Sequence, residues 1–159
     1  MVIGDVDNLA FEFLSLGNGV GELYLLVKGQ RIGPGNWDYD LASMKNAWLY
    51  ECKDRDRRYY PALLGFSSKE LAQIWYCVLY EYEDKRCERY RFLNIGEEDI
   101  GRIFFYSIPY LLDGWGVGLV QSDAEERFFV FDEDENIYID VIVGRGYFYS
   151  LVMSLIEKF

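Results

Sequence analysis

The sequence predicts an α+β fold: a single antiparallel β-sheet of about five to six strands packed against about three α-helices, in one domain spanning residues 1–159. Three observations carry that expectation. Apolar residues alternate along short segments near both ends of the chain, and they recur every three or four residues along three other segments. The links between consecutive strand-like segments late in the chain are too short for crossovers, so those strands run antiparallel. With 159 residues, 51% of them hydrophobic and 18% aromatic, the chain can bury a core unaided and lies outside the composition of disordered chains.

Leu9 to Leu16 and Gly21 to Lys28 read as two strands joined by Gly17-Asn18-Gly19, residue types suited to a hairpin connection that visits positive φ. Leu23, Leu25 and Val27 then share a face. Lys28 to Gly35 collects glycine and proline, so the strand ends there and a loop begins. From Asp40 the period is helical, with Leu41, Met44, Trp48 and Cys52 on one stripe and Asp38 or Asp40 as N-cap. After the charged break from Lys53 to Arg58, Ser67 and Glu70 have capping-box spacing. They precede the stripe Leu71, Ile74, Trp75, Val78, Leu79 and Tyr82.

The second half reads as strands at Arg91 to Ile95, Trp115 to Gln121, Arg127 to Phe131 and Ile137 to Val143. In the last of these Ile137, Ile139, Val141 and Val143 make an aliphatic face. Gly144-Arg145-Gly146 turns the chain into a closing helix with Phe148, Leu151, Val152, Leu155 and Phe159 on one side. Ile103 to Gln121 holds one charge, Asp113, but Pro109, Gly114, Gly116 and Gly118 divide it into pieces too short to span a bilayer as one helix, so it reads as core. Gly114, Gly116 and Gly118 alternate within a strand pattern and have no helix after them. They are glycines that admit a bulky neighbour, not a dinucleotide-binding loop.

Several chemistries are excluded outright. With no histidine, the Ser-His-Asp and Cys-His arrangements and histidine-ligated metals are absent. Cys52, Cys77 and Cys87 are odd in number and lack C-x-x-C spacing, which argues against a disulfide framework and a thiolate zinc site and points to a reducing cytoplasm. The first residues, MVIGDVDNLAFEF, have no basic segment of a secretory signal. A net charge of −11 disfavours nucleic acid and anionic membranes as partners and favours basic proteins. No cofactor is implied. Carboxylate chemistry stays open, because hydrolysis of a sugar linkage needs only two acids of divergent pKa; Asp113 beside Trp115 and Asp140 within a strand are the candidates. Such acids are far more often turn or pairing residues.

The densest charge lies late in the chain. From Asp123 to Asp140 there are eight acids against one base, Arg127. Asp132, Asp134 and Asn136 stand at positions one, three and five of a calcium loop, but Ile137 and Val143 occupy the places that require glycine and a bidentate glutamate. Asp132 to Asn136 therefore reads first as a solvated hairpin tip whose acids discourage edge pairing. Beyond that, so focused a negative face can steer a basic partner and raise its association rate.

Ile3-Gly4-Asp5, Leu9-Ala10-Phe11-Glu12-Phe13, the Gly29-Gln30-Arg31-Ile32-Gly33 turn, Trp115-Gly116-Val117-Gly118-Leu119-Val120 with Arg127-Phe128-Phe129-Val130, and Gly146-Tyr147-Phe148 together resemble bacterial immunity proteins of polymorphic toxin systems, nearest the immunity protein 42 family. The likeness touches about the first forty residues and the last fifty. It implies a cytoplasmic, non-enzymatic antidote that binds the C-terminal domain of a cognate toxin and blocks its active site or its access to substrate. No site residue carries over from the family. A nuclease toxin would be basic, because it must neutralise phosphates. On the charge argument the toxin-facing residues are Asp123, Glu125, Glu126, Asp132, Glu133, Asp134 and Glu135, with Trp115 as aromatic anchor. The alternatives are a carboxylate-dependent hydrolase acting on sugars and an acidic protein–protein adaptor.

Overall fold

Strand β1 (Val2–Asp5), too short for its alternation to register in the sequence, lies antiparallel on β2 (Leu9–Gly17) with Ile3 opposite Phe11. The connection from β2 to β3 (Val20–Val27) folds as its residues demand, with φ of 89° at Gly17, 53° at Asn18 and 76° at Gly19. Lys28 and Gly29, both at positive φ, then form a two-residue hairpin into β4 (Gln30–Ile32). The computed structural model describes residues 1–33, 39–53, 55–80, 85–105, 114–132 and 134–158. Asp38, Tyr82, Asp113, Glu133 and Phe159 lie outside them.

The expected single sheet is two. One follows the order β1-β2-β3-β4, with β5 (Tyr39–Asp40) also paired to β3; the other is β6-β7-β8, formed by Gly116–Gln121, Glu125–Asp132 and Ile137–Gly144. All the pairings are antiparallel. The physical reason for two sheets is β7. Its residues Phe128 to Phe131 are all buried, Phe128 and Val130 in one core and Phe129 and Phe131 in another. A strand covered on both faces is a wall between layers, not one face of a half-solvated sheet.

On one side of that wall lie the first sheet, α1 (Leu41–Lys53) and α5 (Tyr147–Ile156), which contribute Phe11, Leu25, Trp48, Phe148 and Val152 to the first core. On the other lie α2 (Ser68–Leu79) and α4 (Glu97–Ile103), with Ile74, Val78, Ile100 and Ile103. α1 starts where Asp40 Oδ2 accepts the Ser43 N–H at 2.8 Å. α2 starts at the full Ser67/Glu70 capping box. Phe148 packs at the centre of the first core, 5.0 Å from the Phe128 ring and 5.1 Å from Phe105.

The described residues hold five α-helices, not about three. α3 (Lys85–Glu88) and α4 are too short to write a periodic stripe. Arg91 to Ile95, expected as a strand, instead begins with a 3₁₀ turn over Arg91–Leu93 that ends at Asn94 in the left-handed region. A short apolar run does not distinguish the two conformations, and Asn94 two residues before Gly96 favours a turn. The cysteines also correct an expectation: Cys77 of α2 and Cys87 of α3 form a disulfide, leaving Cys52 as the free cysteine among the described residues. Their pairing follows from the packing of two helices at a corner, which spacing alone does not reveal.

β6 carries glycine where β7 carries phenylalanine. Gly116 stands opposite Phe131 and Gly118 opposite Phe129. A Cβ on Gly118 would lie 2.3 Å from the Phe129 ring and one on Gly116 2.2 Å from Phe131, so each ring occupies the volume that a side chain would need. Gly118→Ala should therefore lower stability in urea unfolding by about 2 kcal/mol, the usual scale of overpacking, and Phe129→Leu should recover part of the loss. Gly101→Ala within α4, where the added Cβ meets nothing within 4 Å, should be neutral or stabilising by up to about 1 kcal/mol.

Candidate partner-binding surface

The seven described acids of the Asp123 to Asp140 segment do not form one face. β7 runs from Glu125 to Asp132, and seven residue steps at about 3.3 Å separate its ends by roughly 23 Å. Asp123 and Glu125 sit at one end and Asp132, Asp134 and Glu135 at the other. At the first end Asp123 is partly compensated, with Arg145 Nη1 at 3.9 Å and the Tyr59 hydroxyl donating at 3.4 Å. At the second, Asp132 Oδ1 accepts the Glu135 N–H at 3.1 Å and Asn136 takes φ of 53°, closing a hairpin tip with Asp134 and Glu135 exposed. Asp140 belongs to neither end: it pairs with Arg127 at 2.9 Å and accepts the Ser68 N–H.

Glu126 leaves the acidic group altogether. It is 0% exposed, because alternation along β7 turns it inward beside Gln121 of β6. Its Oε2 accepts from Gln121 Nε2 at 2.9 Å and from the Gly146 N–H at 2.9 Å, and its Oε1 from the Phe148 N–H at 2.6 Å. The carboxylate thus caps the first turn of α5, where backbone N–H groups lack partners and the helix dipole favours negative charge.

A second buried charge, Arg58, lies nearby at 1% exposure. It donates to Glu51 Oε2 at 2.5 Å, to the Glu51 carbonyl at 3.2 Å and to the Tyr149 hydroxyl at 2.8 Å, and it stacks 4.5 Å from the centre of the Phe105 ring. Burial holds the Tyr149 phenol far above its ordinary pKa, against the opposing pull of Arg58. At the far side of the second core, Tyr60 donates to Asp99 at 2.7 Å. Burial and then that bond push Tyr60 up to about 12, while the Gly96 N–H holds Asp99 below the usual carboxylate range.

Trp115 is half-buried against the first core, so it serves packing more than display. The displayed aromatics are others, Phe92 at 75% exposure, Tyr80 and Tyr59. Exposure of single aromatics has no periodic signature, so only the fold could reveal them. Among the cavities that the described residues line, two of about 440 Å³ open on the surface. One lies beside the Cys77–Cys87 disulfide, with Tyr90 and Asp99 in its walls; the other lies between the 3₁₀ turn Arg55–Arg57 and α5. Among the described residues no three acids or cysteines converge as a metal site would require, and no described helix is long and apolar enough to cross a membrane.

The sequence profile of the immunity protein 42 family matches residues 1–158. The chain belongs to that family. Among proteins with curated descriptions, none matches the sequence. Among solved structures, CdiI from Burkholderia dolosa superposes with a TM-score of 0.72 over 100% of both chains at 14% identity, a likeness of fold.

In this immunity-family fold Glu126 is structural. Glu126→Leu should cost about 3 kcal/mol in chemical denaturation, since it leaves three donors unsatisfied in the interior. Asp134→Asn and Glu135→Gln, at the exposed tip, should each change stability by less than about 0.5 kcal/mol. A stability loss at the tip equal to that at Glu126 would show that the tip is packed in solution.

Proposed function

We propose that the chain is a non-enzymatic antidote that binds the C-terminal domain of a cognate toxin, a basic nuclease, and blocks its active site or its access to substrate. The observation that carries the proposal is the exposed carboxylate tip between β7 and β8, on a chain of net charge −11 whose family is one of immunity proteins. The proposed contact set is Asp132, Asp134 and Glu135 at the tip, with Glu133 between them in the sequence, and Asp123 and Glu125 at the other end of the sheet; Trp115 borders the first core and Glu126 acts only through the fold. A protein of this kind needs no turnover chemistry. Of the two acids considered for a sugar hydrolase, Asp140 is ion-paired with Arg127 and Asp113 lies outside the described residues, so no convergent pair supports that reading.

Steering by charge has a kinetic signature. The association rate with the cognate toxin domain should fall as salt rises, and Asp134→Lys with Glu135→Lys should lower it roughly tenfold at low salt while the dissociation rate changes less. Asp132 is left intact in that variant because it holds the turn. Co-expression should restore growth of cells that make the toxin. An association rate indifferent to both salt and the tip substitutions would remove the tip from the interface, and failure to protect would remove the antidote reading itself.

A further inference from the structure

The second cavity, about 440 Å³ between the Arg55–Arg57 turn and α5, has a construction that the fold does not require. Its floor holds Gln121, which is 3% exposed. Because the Glu126 carboxylate can only accept, the amide must turn Nε2 toward it, and that bond is 2.9 Å. The opposite atom, Gln121 Oε1, is buried with no hydrogen-bond partner among the described residues. A buried carbonyl left unpaired is costly, and structures rarely tolerate one without a reason.

The walls carry positive charge. Arg55 and Arg145 line the cavity against a single acid, Asp56. The Arg55 side chain is 64% exposed and that of Arg145 36%, with loose ion pairs of 3.6 Å to Asp56 and 3.9 Å to Asp123, on acids that are themselves 78% and 90% exposed, and Arg145 also lies 5.8 Å from the centre of the Tyr59 ring. Behind them Arg58 directs its terminal nitrogens to Glu51 and Tyr149, with its Nε unpaired among the described residues. Met153, 46% exposed, supplies an apolar lip. On a chain with eleven excess negative charges, a concave site with two accessible arginines selects an anion against the overall field.

We infer that this cavity receives an acidic side chain of the cognate toxin, its carboxylate between Arg55 and Arg145 and an adjacent backbone N–H donated to Gln121 Oε1. The inference rests on the antidote reading above and adds a second contact at the opposite end of β7 from the acidic tip. A peptide bearing Asp or Glu provides both complements at once, an anion for the guanidiniums and a donor for the amide. Arginine contacts beside Asp123 and Glu125, against the acids of the tip, make the two ends unlike, and a rotated complex then places like charges together.

The test compares wild type with Arg55→Glu/Arg145→Glu and with Met153→Trp, which fills the cavity mouth without changing charge. Each is first shown to melt as wild type does, and each is then titrated with the purified toxin domain and scored for growth protection. The double reversal should weaken binding by about 100-fold or more and the tryptophan plug by about tenfold. One Asp or Glu of the toxin changed to Arg should restore binding to the double reversal and not to wild type. Wild-type binding and protection together with both variants binding within about twofold overturns the cavity contact and leaves the antidote reading standing. If wild type neither binds nor protects, both fall. N-acetylaspartate provides the remaining arm: its uptake by wild type, with toxin binding unaltered by the substitutions, assigns the cavity to a free acid and overturns the protein contact.

Discussion

β7 is the constraint on which the rest of the structure depends. Its three-stranded sheet has apolar side chains on both faces, so it persists only with a cover on each. The first sheet with α1 and α5 supplies one cover, and α2 with α4 supplies the other. Full burial of side chains such as Phe128, Phe129 and Val130 contributes about 1.5–3 kcal/mol each. The rings must also fit, and glycines at Gly116 and Gly118 on β6 give Phe131 and Phe129 the volume they take. Size on one strand is matched by absence on its neighbour.

The buried charges tie the covers to that wall. Glu126 sits on β7 and holds the start of α5, while Arg58, just after the Arg55–Arg57 turn, bonds Glu51 of α1 and Tyr149 of α5. Buried ions are seldom net contributors to stability unless every lone pair and proton is matched. Here Glu126 accepts from three donors and Arg58 donates to three acceptors while its Nε stays unpaired, and the partners at Gly146, Phe148 and Tyr149 are distant in the chain, so the matching holds only when those elements are in register. The polar network thus concentrates at the Ser122–Glu125 end of the sheet. Among the described residues of the Asp132–Asn136 end, the Glu135 N–H bonds Asp132 within the turn, and Asp132, Asp134 and Glu135 take no part in that network.

Much of this arrangement was legible in the sequence, for reasons that also explain what was not. The 17–19 hairpin, the Ser67/Glu70 capping box and the three long helices each have a local chemical cause, and each appears where it was expected. The two-sheet division was missed, although Arg127-Phe128-Phe129-Val130-Phe131 is a run with no alternation. A strand with a wet face alternates, and one that reads apolar at every position is covered twice. By contrast β1, β4 and α3 are too short to carry a period. The candidate surface was less legible still. The acids were visible as a count, but strand geometry sorted them into two ends, one interior cap and one ion pair, and neither the Gln121 cavity nor the exposure of Phe92 leaves any mark on a linear pattern.

That sorting changes what the charge of the molecule can do. Beyond about 8–10 Å in physiological salt the individual charges blur, and a distant partner senses little more than a net negative body. The two ends of β7 are separated by more than twice that length, so they act on a docking surface almost independently. Net charge can therefore bring a basic partner near but cannot orient it. Orientation falls to contacts made after the screening water is expelled, where the two ends differ: the exposed carboxylates of Asp134 and Glu135 at the tip, and arginines mixed with carboxylates at the end that holds the cavity. A partner matched to only one end gains attraction without register. One matched to both is held in a single pose, and a single pose is what allows a small protein to cover a particular cleft on a larger one.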